Sequence, residues 1–305
     1  MVDMFEKLVN KGWILLQQWF FLAINHASPR LATKLLHSFK TGRRLRLDPP
    51  IEFNEKLQWL KLYGNQYDVT RCADKFELRS FAIDRGCESA LTSLVGVYTS
   101  VDDICWDDLP DRYVVKCTHG CGYNVVVGDK SKVDVVSVSR KLRKWLKRKY
   151  GRKNLEYHYD GIQPRVIIER FIEGEDGGLP LDYKVYCFSG RPAVVLVCKR
   201  NGYDLKMNFY RPDWVLLPLN EKEDQIDGVV EIPKSLEHML DYSARLSKGF
   251  IFVRVDFYDS GGKAILGEMT FTPGGNMSSR YNEYGQRYLG DLVEITGCCC
   301  KDRLI

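Results

Sequence analysis

After Gly86 the chain changes texture, and that change constrains the fold more than any other feature. LTSLVGVY (91–98), RYVVKC (112–117) and NVVVGD (124–129) are β-branched clusters of strand length, set between Asp, Gly and Pro turns. RVIIERFI (165–172), YKVYCF (183–188) and AVVLVCK (193–199) follow. A helix over 235–248 then leads into IFVRVDFY (251–258), a Ser-Gly-Gly turn and KAILGEMTF (263–271). Helices, a small strand-rich segment and then a larger mixed sheet predict an α+β fold. The 305 residues suggest about two domains, and 45% apolar with 28% charged residues is an ordinary globular balance. No apolar run reaches the roughly 18 residues a spanning helix needs.

Before Gly86 the chain reads as an N-terminal helical lobe, residues 1–70. WILLQQWFFLAI (13–24) is its most apolar stretch. It reads as a buried helix, or as a helix lying at the inner membrane surface with Trp13 and Trp19 at the interface. From 53 to 63, Phe53, Leu57, Leu60 and Leu62 suit a short amphipathic helix. Asp74, with Glu77 three residues on, suggests a capping box. Residues 140–153 read as a helix with nine Lys and Arg and no acid, carrying Leu142, Trp145, Leu146 and Tyr150 on one side. Such a run suits either a solvated face or contact with an acidic glycan or anionic membrane.

Lys and Arg total 45 against 40 Asp and Glu, an excess too small to argue for nucleic acid. The ten cysteines lack framework spacing and read as reduced thiols of a cytoplasmic protein. Cys117, His119 and Cys121 have no second pair at zinc spacing.

Three elements carry candidate chemistry. Asp256 and Glu268 lie on successive strands around a glycine turn, so a tight hairpin can set the carboxylates side by side. Such a pair suits Mg²⁺, which prefers hard oxygen ligands shared with phosphates, although exposed strand residues fit equally well. TPGGN (272–276) follows, and Gly274 and Gly275 offer backbone N–H groups to a developing oxyanion. Lys116 ends an apolar strand ahead of a loop with Gly120 and Gly122, a plausible phosphate clamp. VIIERFIEGED (166–176) ends a buried strand at Glu169 and suits either a nucleotide-reading hinge or an acidic hairpin turn. Arg280 is a candidate carboxylate or phosphate partner by charge alone.

ADKFELR (73–79), VVKCTHGCGYN, VIIERFIEGE, VRVDFY and GEMTFTPGG stand in the order and rough spacing of the ATP-grasp superfamily. With FNEKLQWLKLY (53–63), DYKVYCFSG (182–190) and NFYRPDW (208–214), the chain resembles the TupA-like ATP-grasp proteins over about residues 45 to 292. Those proteins are associated with bacterial cell-surface polysaccharide biosynthesis. The resemblance implies an ATP-grasp domain over 71–305, with a lid subdomain at about 90–168 and a larger metal-binding subdomain at about 169–295.

The resemblance also implies roles. Lys75 and Lys116 would hold the nucleotide phosphates, and Gly120 and Gly122 would form the lid loop. His119 within that loop is a candidate phosphate or substrate contact. Glu169, Phe171 and Ile172 would form the adenine hinge, and Glu175 or Asp176 would supply the ribose carboxylate. Asp256 and Glu268 would be the Mg²⁺ ligands and Arg254 the arginine steadying the transferred phosphoryl group. Thr270 stands where many members carry Asn, and its hydroxyl can still ligate Mg²⁺. The implied activity is an ADP-forming carboxylate–amine ligase, with ATP and Mg²⁺ as cofactors. Its partners would be a small amine or amino acid and a carboxylated sugar or glycan precursor. The competing expectations are a sugar phosphotransferase, a glycosyltransferase and a non-catalytic nucleotide-binding scaffold.

Overall fold

The computed structural model describes residues 16, 17, 19–64, 68–174, 178, 180–201 and 204–295. Four strands, β1 (Leu94–Tyr98), β2 (Tyr113–Cys117), β3 (Asn124–Val127) and β4 (Val166–Arg170), form an antiparallel sheet in the order β1-β4-β2-β3. Alternation assigns its two faces. Tyr113, Val115 and Cys117 of β2 are buried, whereas Val114 and Lys116 are half-buried. Leu142 and Trp145 of α6 (Val135–Leu146) cover the buried face.

Helix α6 stops at Leu146, short of the expected 153. Tyr150 instead turns inward, its ring 5.5 Å from that of Tyr123 and 4.8 Å from that of Tyr159. The nine basic side chains of this stretch are all exposed.

Six strands form the larger sheet: β5 (Asp182–Phe188), β6 (Arg191–Asn201), β7 (Asp204–Tyr210), β8 (Leu216–Leu217), β9 (Phe252–Ser260) and β10 (Lys263–Thr270). Their order is β10-β9-β5-β6-β7-β8. The sequence reading assigned no strand to β7 or β8. Val185, Cys187, Val253, Val255 and Phe257 share one core with α4 (Val69–Ala73), α5 (Glu77–Asp84) and α7 (Leu236–Ser247). On the opposite face, Tyr186, Phe188, Phe209 and Phe252 pack against α3 (Phe53–Tyr63) and α8 (Glu283–Leu292).

Helix α3 has the expected bounds. Glu52 and Glu55 form a reciprocal capping box at its start. Phe53 is fully buried, its ring 5.2 to 6.2 Å from those of Tyr186, Phe188, Phe252 and Tyr281. Burying such a side chain contributes about 1.5–3 kcal/mol and ties the helical region to the large sheet.

Asp74 does not open a capping box. Helix α5 starts at Glu77, and the Asp74 carboxylate accepts the Phe76 N–H at 2.8 Å in a tight turn, with Arg165 3.5 Å away. Ahead of α3 lie α1 (19–27) and α2 (Pro29–Thr41). Ser28 caps α2 by accepting the Leu31 N–H, and Gly42 closes it at φ +68°, where a Cβ would be strained. Phe21 of α1 is buried, as a buried helix requires, while Trp19 and Phe20 are exposed; Trp13 lies outside the described residues. Among the described residues, no helix is long and apolar enough to cross a membrane.

Candidate active site

Pairing register brings the charges together. Lys184 on β5, Asp256 on β9 and Glu268 on β10 are direct cross-strand neighbours. The next row is Tyr186, Arg254 and Thr270. Residues directly opposite share a face, so the two rows form one charged patch. Glu268 reaches it through a bulge: Leu266 pairs with Phe257 and Glu268 with Asp256, leaving Gly267 as the extra residue.

Within the patch, Arg254 Nε and Nη2 each donate to Asp256 at 2.7 Å, and Lys184 Nζ donates to the same carboxylate at 2.7 Å. Lys184 also pairs with Asp182 at 2.6 Å. Thr270 Oγ1 accepts from Arg254 at 3.2 Å and donates to Glu268 at 3.1 Å.

Lys75 closes the patch from the opposite side. It lies in the turn before α5, where its N–H donates to Thr118 O at 3.3 Å. Its Nζ donates to Gly120 O at 2.7 Å and stands 3.6 Å from Glu268 Oε2. One side chain therefore joins the β2–β3 loop of the small sheet to the carboxylates of the large one.

The electrostatics follow from this packing. Burial alone would raise Glu268, but Lys75, Arg254 and Lys184 outweigh it and hold the carboxyl down to about 2. Burial opposes the Lys184 charge too, yet Asp256 and Asp182 more than compensate and its pKa is raised. Asp182 is raised, chiefly by burial and against the pull of Lys184. Cys121 in the β2–β3 loop is pushed up to about 11, by the Glu268 charge first and burial second, and stays a thiol at neutral pH.

Other expected site residues are placed elsewhere. Lys116 and Glu169 lie on the same face of the small sheet, opposite α6, and pair at 2.6 Å; Arg79 holds the other Glu169 oxygen at 3.2 Å. Glu169 therefore anchors a lysine, and Lys116 has no ion pair with Asp256 or Glu268. His119 does not face the charged patch: it is 2% exposed, and its Nε2 lies 3.1 Å from Trp145 O beneath the loop. Burial lowers its pKa, which suits a neutral ring supporting the loop. Gly120 sits where a Cβ would strike the Tyr150 ring at 2.7 Å, and Gly122 adopts φ +73°.

Phe171 packs under the Arg112 guanidinium, 4.1 Å from its ring centroid, and Ile172 follows it beyond the end of β4. Glu173 O then accepts from Ser260 Oγ at 2.9 Å, linking this segment to the β9–β10 turn. Glu175 and Asp176 lie outside the described residues.

The glycine turn after β10 differs from its expected use. Gly275 N–H donates to Thr272 O at 2.8 Å, so it is not free for an oxyanion; Gly274 is exposed beside it. Gly275 has φ +67°, and a Cβ there would meet the Asn154 amide at 2.6 Å, which accounts for the glycine on packing grounds. Gln58 Nε2 holds this turn through Gly275 O and Asn276 O, and Thr272 donates to the buried Glu156. Burial raises Glu156 and pushes the neighbouring Lys61 down to about 7. Arg280 Nη1 lies 3.5 Å from Leu205 O.

The sequence reading missed Lys184 and Asp182. Their signal was the alternation Asp-x-Lys on a strand next to Arg-x-Asp, but only register shows that the two pairs face each other.

Asp256, Glu268 and Thr270 offer two carboxylates and a hydroxyl, a set that suits Mg²⁺ completed by phosphate and water oxygens. Among the described residues, no group of three or more His, Cys, Asp or Glu could hold a metal by itself.

Among known proteins, no curated sequence matches the chain. Solved structures resembling it include D-alanine–D-alanine ligase from Bacillus anthracis complexed with ATP. That match has a TM-score of 0.45 and 16% identity, and covers 80% of this chain and 68% of the other. D-cycloserine synthetase gives 0.42 and 13%, with 74% and 72% coverage. The ADP complex of N5-carboxyaminoimidazole ribonucleotide synthetase gives 0.45 and 11%, with 71% of this chain spanning 50% of that one. The model of the TupA-like ATPgrasp family matches residues 55–294, taking in both sheets and the whole charged patch; the chain belongs to that family and has the ATP-grasp fold.

Proposed function

We propose that this chain is an ATP-dependent ligase joining the carboxylate of a sugar or glycan precursor to a small amine or amino acid, in bacterial surface polysaccharide synthesis. The observation that carries the reading is Lys75, bonded to the Gly120 loop and 3.6 Å from Glu268, with Arg254 and Lys184 on the same patch. Three cations converge where a triphosphate would need them, between a loop able to cover it and a carboxylate pair able to share a metal with it. Glu268 and Asp256 would hold Mg²⁺, whose charge would offset that of the phosphates. Glu268 is better placed for this, because both Asp256 oxygens are already engaged by Arg254 and Lys184.

In the proposed reaction a substrate carboxylate oxygen attacks the γ-phosphorus of ATP, and ADP leaves with the electrons of the broken P–O bond. The amine nitrogen then attacks the acyl carbon, phosphate departs, and the nitrogen loses a proton to leave an amide. Charge builds on the transferring oxygens at both stages, where prearranged cations supply most of the acceleration. Lys116, held by Glu169, and the backbone of residues 171–172 would meet the rest of the nucleotide. The small sheet would serve as lid and the large one as metal-binding half, in a compartment supplying ATP, the cytoplasm.

The test is a screen of purified protein with ATP, Mg²⁺ and pairs of uronic acids and amines, scored by ADP release and product mass. ADP release requiring both cosubstrates, with an amide product, is expected. Phosphorylation of a sugar hydroxyl without the amine would overturn the reading. Lys75→Met should lower kcat by about 10²–10³-fold, as loss of one oxyanion donor does, and Glu268→Gln should lower kcat by weakening the hold on Mg²⁺.

A further inference from the structure

From Leu16 to Leu47 the chain carries Arg30, Lys34, Lys40, Arg43, Arg44 and Arg46 and no Asp or Glu. Helices α1 and α2 bury Phe21, Ala32 and Leu36 against Leu155 and Met277, yet they leave large apolar side chains outside. Trp19 (67% exposed), Phe20 (58%), Leu31 (48%), Leu35 (40%) and Phe39 (59%) are the outward ones. Leu31, Leu35 and Phe39 are four residues apart and form one row along α2. The Phe39 ring stands 5.8 Å from the buried Phe21, itself 5.5 Å from the exposed Phe20, so the outward apolar side chains of α1 and α2 flank one buried ring. Single exposed apolar residues are ordinary, but a row of three along α2 with Phe20 close by marks a contact surface.

Beside the row lies a cavity of about 500 Å³ whose lining includes Lys34, Arg44, Arg46 and Arg287. Its acidic residues are already engaged. Asp48 pairs with Arg30 and Glu52 with Arg43, while the Glu55 carboxylate accepts the N–H groups of Arg46, Ile51 and Glu52. None of the four cations has an ion pair among the described residues. Lys34 lies one turn from Leu31 on α2, at i+3, so row and cavity adjoin.

We propose that this face docks on an anionic membrane: the cavity seats a lipid phosphate, and Phe20, Leu31, Leu35 and Phe39 enter the boundary between headgroups and acyl chains. Apolar side chains flanked by uncompensated cations match such a surface in both chemistry and charge. A second copy of the chain would instead bring the same cations together. The face uses other elements than β9 and β10, so docking and ATP turnover can be tested separately.

The test is cosedimentation of the full chain with phosphatidylcholine vesicles and with vesicles of equal parts phosphatidylcholine and phosphatidylglycerol. Binding should require phosphatidylglycerol and weaken as salt rises. Combined Arg44→Gln, Arg46→Gln and Arg287→Gln should weaken it about a hundredfold, three cations at about 1 kcal/mol each. Combined Leu31→Ser, Leu35→Ser and Phe39→Ser should abolish it while leaving ADP release in solution unchanged. Equal binding to both vesicles, or none to either, overturns the proposal, and the wild-type salt series decides this without any variant. Binding of inorganic phosphate without binding of vesicles would make the cavity a site for soluble phosphate. A dimer in sedimentation velocity that Phe39→Ser dissociates would make the face a contact between copies.

Discussion

Two groups of cations in this molecule are arranged in opposite ways. On the large sheet, Arg254, Lys184 and Lys75 each have a carboxylate within 3.6 Å, and the patch is largely enclosed. On the α2 face, Lys34, Arg44, Arg46 and Arg287 have none among the described residues and border an open cavity. The first arrangement holds its charges by mutual pairing, and under the proposed function it would exchange partners with a metal and an anion. The second holds its charges only because water solvates them, and its counter-charge has to come from another molecule. Removing a cation should therefore be costly in the first place and nearly free in the second.

The largest effect is expected from Arg254→Met. Asp256 is 3% exposed, and Arg254 donates two of its three hydrogen bonds from charged partners. Breaking a buried pair costs about 3–5 kcal/mol when the other charge is left unpaired; Lys184 still holds Asp256, so the loss belongs at the lower end, about 3 kcal/mol. Urea denaturation should show a loss of that size; a loss below about 1 kcal/mol would mean the patch is solvated like the α2 face, and the comparison would collapse.

Acid should dissect the same patch. The Glu268 carboxyl is depressed in the folded chain from the ordinary 4.5 to about 2, so its stabilisation is fully present above pH 4.5 and is lost as pH falls toward 2. Linkage converts the gap into about 3 kcal/mol. Stability curves at pH 6, 4 and 3 (roughly spanning that window) should fall more steeply for the wild type than for Glu268→Gln. Parallel curves would show that Glu268 is not held by its cations.

Much of this patch was legible in the sequence. Arg254, Asp256, Glu268 and Thr270 alternate along two strands around a glycine turn, and alternation fixes which side chains share a face. Lys75 was legible only through resemblance, since a lysine in a turn has no periodicity to betray its direction. Lys184 was hidden because a central strand's neighbours are set by the order of the sheet, which local patterns do not encode. Gly275 and His119 were misread for a related reason. A glycine turn that frees N–H groups and one that packs against Asn154 have the same composition, and a histidine over a cleft looks like one under a loop. Strand β7 (Asp204–Tyr210) does alternate polar and apolar residues, a signal passed over when the stretch is read as a loop, whereas β8 is only two residues long and too short to show a period.

On the α2 face the comparison can be sharpened between neighbours. Arg43 pairs with Glu52 at 2.7 Å, and Glu52 also caps α3. Arg43→Gln should cost about 0.2–1 kcal/mol, the range of surface ion pairs, and the cost should shrink as salt is raised. A loss as large as that of Arg254→Met would place Glu52 in an enclosed environment and move this face toward the first arrangement.

The smallest effect belongs to Arg44→Gln with Arg46→Gln, two residues that share the cavity wall with Arg43. Neither loses an acidic partner, so thermal unfolding should change by no more than about 0.5 kcal/mol. The sign carries the information. With no carboxylate lost and two like charges removed, the double variant should be marginally more stable than the wild type at low salt. That gain should vanish once the screening length falls to about 8 Å near physiological ionic strength. A destabilised double variant at low salt would reveal that these arginines hold the fold together, leaving no surplus positive charge for a membrane to use.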